Sequence, residues 1–435
     1  MQVKINYGRQ GLTIDFPNSW DLTVFEKEPM PLLADPTSAV LDALANPVGS
    51  DPLRREAAGK RSACILICDI TRPVPNSIIL PPLIRELLKA GIEAKNITVL
   101  VATGLHRPNE GEELRELVGS DWVLDTVNVV NHFARNDADH VLIGTTSRGV
   151  PVKLDRRLVE ADVKIATGLV EPHFMAGYSG GRKVVAPGVA HADTITMFHS
   201  ARFLEHPNSA NCVMEGNPLH EELTEIVRML GRVLAVNTVI DDKRRLSFVN
   251  FGEVEASHFE ATAYMCRYAQ IRGNRKYRTI VTSGGGYPLD KTYYQTVKGM
   301  VGAMGLIEEG GDIIIFSECS EGMGSPEYVD AQRVLVHLGP EKFLESLLPK
   351  ERAAIDEWQT EMQLKPMKLA RIHLFSDRLS QEDKLLTGIR VSEKDRSPLD
   401  FIRDIVEKGG NGSIAVVPEG PYVIPCCNLS TFLKS

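Results

Sequence analysis

Several large functional classes are excluded by what this 435-residue chain lacks. No apolar run approaches the roughly eighteen residues that a membrane-crossing helix needs. The opening MQVKINYGRQGLTIDFP has no apolar leader core, which points to the cytosol. Positive charge is in deficit. A net charge of −8 argues against a non-specific nucleic-acid binder, which requires a basic field. Seven cysteines include no CxxC pair, so neither a disulfide framework nor a structural zinc site is expected. The absence of HExxH removes the zincin class. The glycine-rich segments also fall short of the common nucleotide loops. In Ser179-Gly180-Gly181-Arg182-Lys183, Arg182 interrupts the Gly-Lys step and Val184 stands where a hydroxyl would hold magnesium. Gly284-Gly285-Gly286 follows a strand-like run without the spacing of a dinucleotide fingerprint.

What is present is an ordinary globular composition, 43% hydrophobic and 24% charged, in a chain long enough for two domains. After an irregular first sixty residues, apolar runs alternate with helical patterns. Strands are expected at 64–69 (CILICD), 97–102 (ITVLVA) and 162–169, and helices at 82–90, 109–118, 156–160 and 193–204. A second series follows a polar break at 273–277. Its strands are expected at 278–282, 312–316 and 369–375, and its helices at 291–304, across 327–364 and at 398–408. Apolar runs buried on both faces and separated by helices imply an α/β fold, with a mainly parallel sheet in each domain and a crevice between them. The expected division is an N-terminal domain over 1–272, a C-terminal domain over 273–410, and a segment 411–435 that packs back on the N-terminal domain. The strand candidate 413–417 fits either domain, and any hinge is expected near Gly273.

Three of the expected strands run into reactive tips: Asp69-Ile70-Thr71-Arg72-Pro73, Leu105-His106-Arg107-Pro108 and Val170-Glu171-Pro172-His173. Ligands of open parallel sheets bind outside the carboxyl ends of the strands. A lone loop histidine is ordinarily a solvated one. The shared position of His106 and His173 at strand ends turns the reading toward chemistry. Asp69, Thr71 and Arg72 fit a capping cluster and an oxyanion clamp equally well. Ser179, Gly180 and Gly181 allow close backbone approach to an anion, or form only a tight turn. Burial of Lys183 beside Arg182 would lower its pKa and make it a nucleophile. His199 reads as a buried, satisfied histidine or as a metal ligand, with His191 and His206 as competitors. Farther on, Tyr294, Gln295 and Lys298 share one side of a helix, as a solvated face or as a site for a small carboxylate.

The motifs DITRPVP (69–75), TGLHRP (103–108), EPHFMAGYSGGRKVVAPG (171–188), His199 and GGYPLDKTYYQTVKG (285–299) together resemble the nickel-pincer-dependent lactate racemase family of 2-hydroxyacid racemases. The resemblance runs from Asp69 into the C-terminal domain. It implies an isomerase that uses a covalently bound nickel-pincer nucleotide, a pyridinium mononucleotide with two sulfur groups, made by separate cofactor-synthesis proteins. It further implies that Lys183 bonds the cofactor and His199 ligates nickel, with His106 and His173 as the acid/base pair. Arg72, Tyr294, Gln295 and Lys298 would hold the substrate and Trp358 would wall its pocket. Asp69, Thr71, Ser179, Gly180 and Gly181 would lie against the cofactor. Racemisation by hydride removal needs two bases and a tethered acceptor, and two histidines of near-neutral pKa suit the first demand. Two other readings compete: a metal-assisted hydrolase that uses His106, His173 and His199 as ligands, and a non-catalytic nucleotide- or anion-binding protein.

Overall fold

The computed structural model describes residues 1–410 and 412–427. Its framework is two six-stranded sheets flanked by helices. The first sheet runs in the order Leu246–Glu253, Leu234–Ile240, Val163–Leu169, Ala63–Cys68, Ile97–Ala102 and Asn128–Asn131. All neighbours are parallel except Leu246–Glu253, which pairs antiparallel at the edge. Ala63–Cys68 explains the two-faced apolar pattern. Ile65 and Ile67 enter the core on one face, and Cys64 and Leu66 the core on the other. A strand buried on both sides cannot alternate polar with apolar residues.

From Ala63–Cys68 the chain steps outward through Ile97–Ala102 to Asn128–Asn131, then returns to place Val163–Leu169 on the opposite side. That reversal opens a crevice at the carboxyl ends of the central strands. The second sheet runs Arg390–Val391, Ala370–Phe375, Ile307–Phe316, Tyr277–Ser283, Ile414–Val417 and Leu22–Val24, all parallel.

This topology corrects the expected partition in two places. Leu22–Val24 belongs to the second sheet, paired with Ile414–Val417, so the lead-in does not sit wholly with the first domain. Ile414–Val417 likewise joins the second sheet beside Tyr277–Ser283. Among the described residues of the segment, the following strand, Ile424–Cys426, pairs back with Gln270–Arg272, and 411 and 428–435 lie outside the described residues. The chain therefore crosses between the sheets more than once. Gly273 is pinned there: its amide bonds Cys426 O at 2.9 Å, and an added Cβ would meet Leu306 at 2.4 Å.

Two helices depart from expectation. The helix expected at 82–90 spans Asn76–Lys89 and holds Pro81 and Pro82 in its interior. Each proline removes a helical hydrogen bond, but Ile79, Leu80, Leu83, Ile84 and Leu87 are fully buried, and that apolar face outweighs the loss. The helix expected at 193–204 is two pieces, Ala192–Phe198 and Ala201–Leu204, broken at His199 and Ser200.

Candidate active site

The three reactive strand tips meet in one crevice of about 170 Å³, closed from the other side by the helices Tyr293–Ala303 and Glu357–Leu369 of the second domain. Asp69, Thr71, Arg72, His106, His173, Ser179, Gly180, Lys183, His199, Tyr294, Gln295, Lys298 and Trp358 all line it. Gly181 does not. With φ +49 it caps the short helix Arg182–Val185, and an added Cβ would stand 2.7 Å from the His258 ring.

The His106 ring stands at the mouth, its Nδ1 2.6 Å from Asp69 Oδ2. Asp69 is buried, and its other oxygen accepts from Thr71 N at 3.1 Å and Thr71 Oγ1 at 2.5 Å. Burial would lower the His106 pKa, but the Asp69 carboxylate outweighs it and the net shift is upward. For Asp69, burial is likewise overridden by His106 and Thr71, so its pKa falls. An ionised carboxylate only accepts hydrogen bonds. The imidazole proton therefore sits on Nδ1, and Nε2 keeps its lone pair.

His173 has the opposite surroundings. It is buried, and Lys183, Arg72, Lys298 and His199 add positive charge around it, so its pKa falls well below 6.5. Its Nδ1 accepts from the amides of Met175 and Ala176 at 3.3 and 3.2 Å. The two histidines are thus driven in opposite directions, where the sequence suggested a near-neutral pair.

Burial, then Arg72 and Arg182, bring the Lys183 amine down to about 7. Arg182 itself does not line the crevice. It is buried and donates to Ala176 O at 2.8 Å, with His258 beside it. Ser179 spends its hydroxyl on the loop, donating to Leu169 O at 2.7 Å and accepting from Glu171 N at 3.1 Å. The break after Phe198 places His199 at a helix end. There its Nδ1 donates to Ile195 O at 3.0 Å while its ring stacks on Trp358, with centroids 4.6 Å apart. Burial and Lys183 hold its pKa at about 3, so Nε2 stays an unprotonated donor suited to a metal. His191 instead caps the helix Ala192–Phe198 by accepting from Asp193 N, and it does not line the crevice.

Of the substrate-side residues, Tyr294 accepts from Trp358 Nε1 at 3.1 Å. Gln295 Oε1 is buried without a partner, an acceptor aimed at nothing in the protein. Burial, with Arg72 and Lys183, pushes the Lys298 pKa far down. Two acids were given no role from the sequence. Glu171 ion-pairs with Arg72, and Asp356 lines the crevice beside Tyr294. A lone acid in a loop carries no sequence signal of such a role. Among the described residues, no three His, Cys, Asp or Glu side chains gather closely enough to hold a metal ion, so the three-histidine hydrolase site is not formed.

Comparison with known proteins shows the family of the chain. Residues 7–211 match the lactate racemase N-terminal domain, and 274–424 match the lactate racemase C-terminal domain. The chain belongs to the lactate racemase family. The lactate racemase of Thermoanaerobacterium thermosaccharolyticum is 30% identical over 429 residues, which covers 97% of this chain and 98% of that protein. The lactate racemase of Lactiplantibacillus plantarum is 31% identical over 384 residues, 88% of this chain and 89% of its own. The solved lactate racemase apoprotein from T. thermosaccharolyticum superposes with a TM-score of 0.88 at 29% identity, covering 98% of this chain and all of that one. A Thermotoga maritima protein shares the fold at a TM-score of 0.69 and 19% identity. As a member of the lactate racemase family, the protein is an isomerase, and its two-domain α/β architecture is the family's. No helix among the described residues is long and apolar enough to cross a membrane.

Proposed function

We propose that the protein racemises or epimerises 2-hydroxyacids in this crevice, through a 2-oxoacid intermediate and a nickel-pincer nucleotide held by Lys183 and His199. The observation that carries the reading is the pairing of a buried amine of pKa about 7 with a histidine whose Nε2 is free, both on one wall opposite an unsatisfied Gln295 Oε1. An amine unprotonated near neutrality can form an amide-type bond, and a neutral imidazole with its Nδ1 proton committed is a metal donor, so the residues fit such a group. When bound, it supplies a tethered, reversible hydride acceptor.

The protein's own residues account for the remaining demands. Arg72 and Lys298 neutralise and orient the substrate carboxylate. His106 Nε2 takes the hydroxyl proton as the α-hydrogen leaves with its electron pair, and the resulting imidazolium is stabilised by Asp69. The flat 2-oxoacid turns about its carboxylate anchor. For the opposite enantiomer, His173 is the second base. A bound carboxylate offsets Arg72 and Lys298, and bonding at Lys183 removes a third cation. His173 then rises toward the range in which it can exchange a proton. Burial of Trp358 and Phe174 keeps water from the oxoacid.

Intact-mass analysis of protein made in a host that synthesises the cofactor tests this directly. An adduct localised to Lys183 is expected in the active protein, with both adduct and racemisation lost in Lys183→Ala. Full activity in protein whose Lys183 is unmodified would refute the reading.

A further inference from the structure

Asp356 lines the same crevice as His106, Tyr294, Gln295 and Lys298. It flanks the start of the helix Glu357–Leu369 in a left-handed conformation, φ 61°. Aspartate and asparagine adopt that conformation more readily than other branched side chains. Ser325 Oγ donates to its Oδ2 at 2.5 Å. The Tyr294 hydroxyl, which accepts from Trp358 Nε1–H at 3.1 Å, stands in the same lining.

The charges facing the crevice are few. Its lysines and arginines are Arg72, Lys183 and Lys298. Arg72 already shares its charge with Glu171, and Asp69 is matched to His106. With Lys183 committed to the cofactor, Arg72 and Lys298 suffice for one carboxylate. No lysine or arginine of the lining remains for a second, and Asp356 adds a further carboxylate to that lining. Leu105, Phe174 and Met175 give the wall an apolar portion.

Resting on the 2-hydroxyacid reading above, we propose that Asp356 determines specificity: the crevice accepts 2-hydroxyacids with one carboxylate and an uncharged remainder, and Asp356 rejects acids that carry a second carboxylate. Juxtaposed like charges in a poorly solvated pocket discriminate strongly against the wrong ligand.

The test compares lactate with malate on adduct-bearing protein, wild type and Asp356→Asn. Asparagine keeps the left-handed backbone and can still accept from Ser325, so only the charge is removed. The wild type is expected to favour lactate in kcat/KM, and the substitution to raise the malate-to-lactate ratio by about tenfold or more. A general effect on His106 cancels in that ratio. Tryptophan fluorescence titration gives a readout independent of turnover, and malate binding should tighten in the variant relative to lactate. Wild-type preference for malate, or a ratio that the substitution leaves within about twofold, would overturn the assignment. If adduct-bearing protein racemises neither acid, the 2-hydroxyacid reading falls and takes this one with it. Racemisation with an unmoved ratio removes the Asp356 assignment alone.

Discussion

At the scale of single residues, the crevice works by dividing one residue type between two environments. Asp69 holds His106 in the tautomer that leaves Nε2 free and raises its pKa, while cations depress His173. Asp69→Asn removes the raising charge, so the His106 pKa drops and its protonated form disappears at lower pH. The limb of the kcat/KM profile that requires neutral His106 should therefore move to more acid pH, and kcat should fall by about tenfold or more as the imidazolium loses its partner. A profile that keeps its position while activity falls would show that Asp69 acts on the fold instead. The division between the histidines was not legible in the sequence. His106 and His173 were, because each follows an apolar strand. Their unequal titration depends on which charges cross from other loops. The same holds for Arg182, whose adjacency to Lys183 suggested a shared target. Consecutive residues of a helix point about 100° apart, and Arg182 ends against Ala176 and His258.

At the scale of elements, parallel strands with two apolar faces were readable because burial on both sides leaves no room for polar alternation. Short strands were not. Leu22–Val24 is three residues long, and only its distant partner, Ile414–Val417, makes it a strand. The break between Ala192–Phe198 and Ala201–Leu204 was also hidden, since its amphipathic pattern continues through His199. That break matters because the second piece packs against the helix Glu357–Leu369, which carries Trp358. At this contact Glu361 is buried with its Oε1 unpartnered, and burial, then Glu205 and Glu357, raise its pKa to about 8 against the opposing Lys365 and Lys368. The folded protein thus keeps a proton that the unfolded chain releases above the ordinary glutamate value of 4.5. The stability present below that pH is lost as pH rises toward 8, by at most about 1.4 kcal/mol per pH unit. Glu361→Gln is neutral throughout and should escape this loss. In urea unfolding at pH 5.5 and 8, the variant should gain on the wild type as pH rises. A constant difference would mean that Glu361 is ionised in the folded protein.

At the scale of the whole molecule, the question is what holds the two sheets around the crevice. Ion pairs cross the seam, Arg135 to Glu327 at 2.7 Å and Arg352 to Asp193 at 2.8 Å. These are substantially exposed, and each is worth about 0–1 kcal/mol. Val297, Trp358 and Met362 of the second domain are instead buried within the apolar cluster of the first, at about 1.5–3 kcal/mol per side chain. Apolar closure dominates, and it brings Tyr294, Lys298 and Trp358 over Lys183 and His199. If this closed crevice interconverts the enantiomers of a 2-hydroxyacid without net oxidation, as proposed, enantiopure lactate incubated with adduct-bearing protein should drift to an equal mixture of both enantiomers on chiral chromatography, with no accumulation of 2-oxoacid. An unchanged enantiomer, or oxoacid formed in proportion to lactate lost, would contradict that proposal.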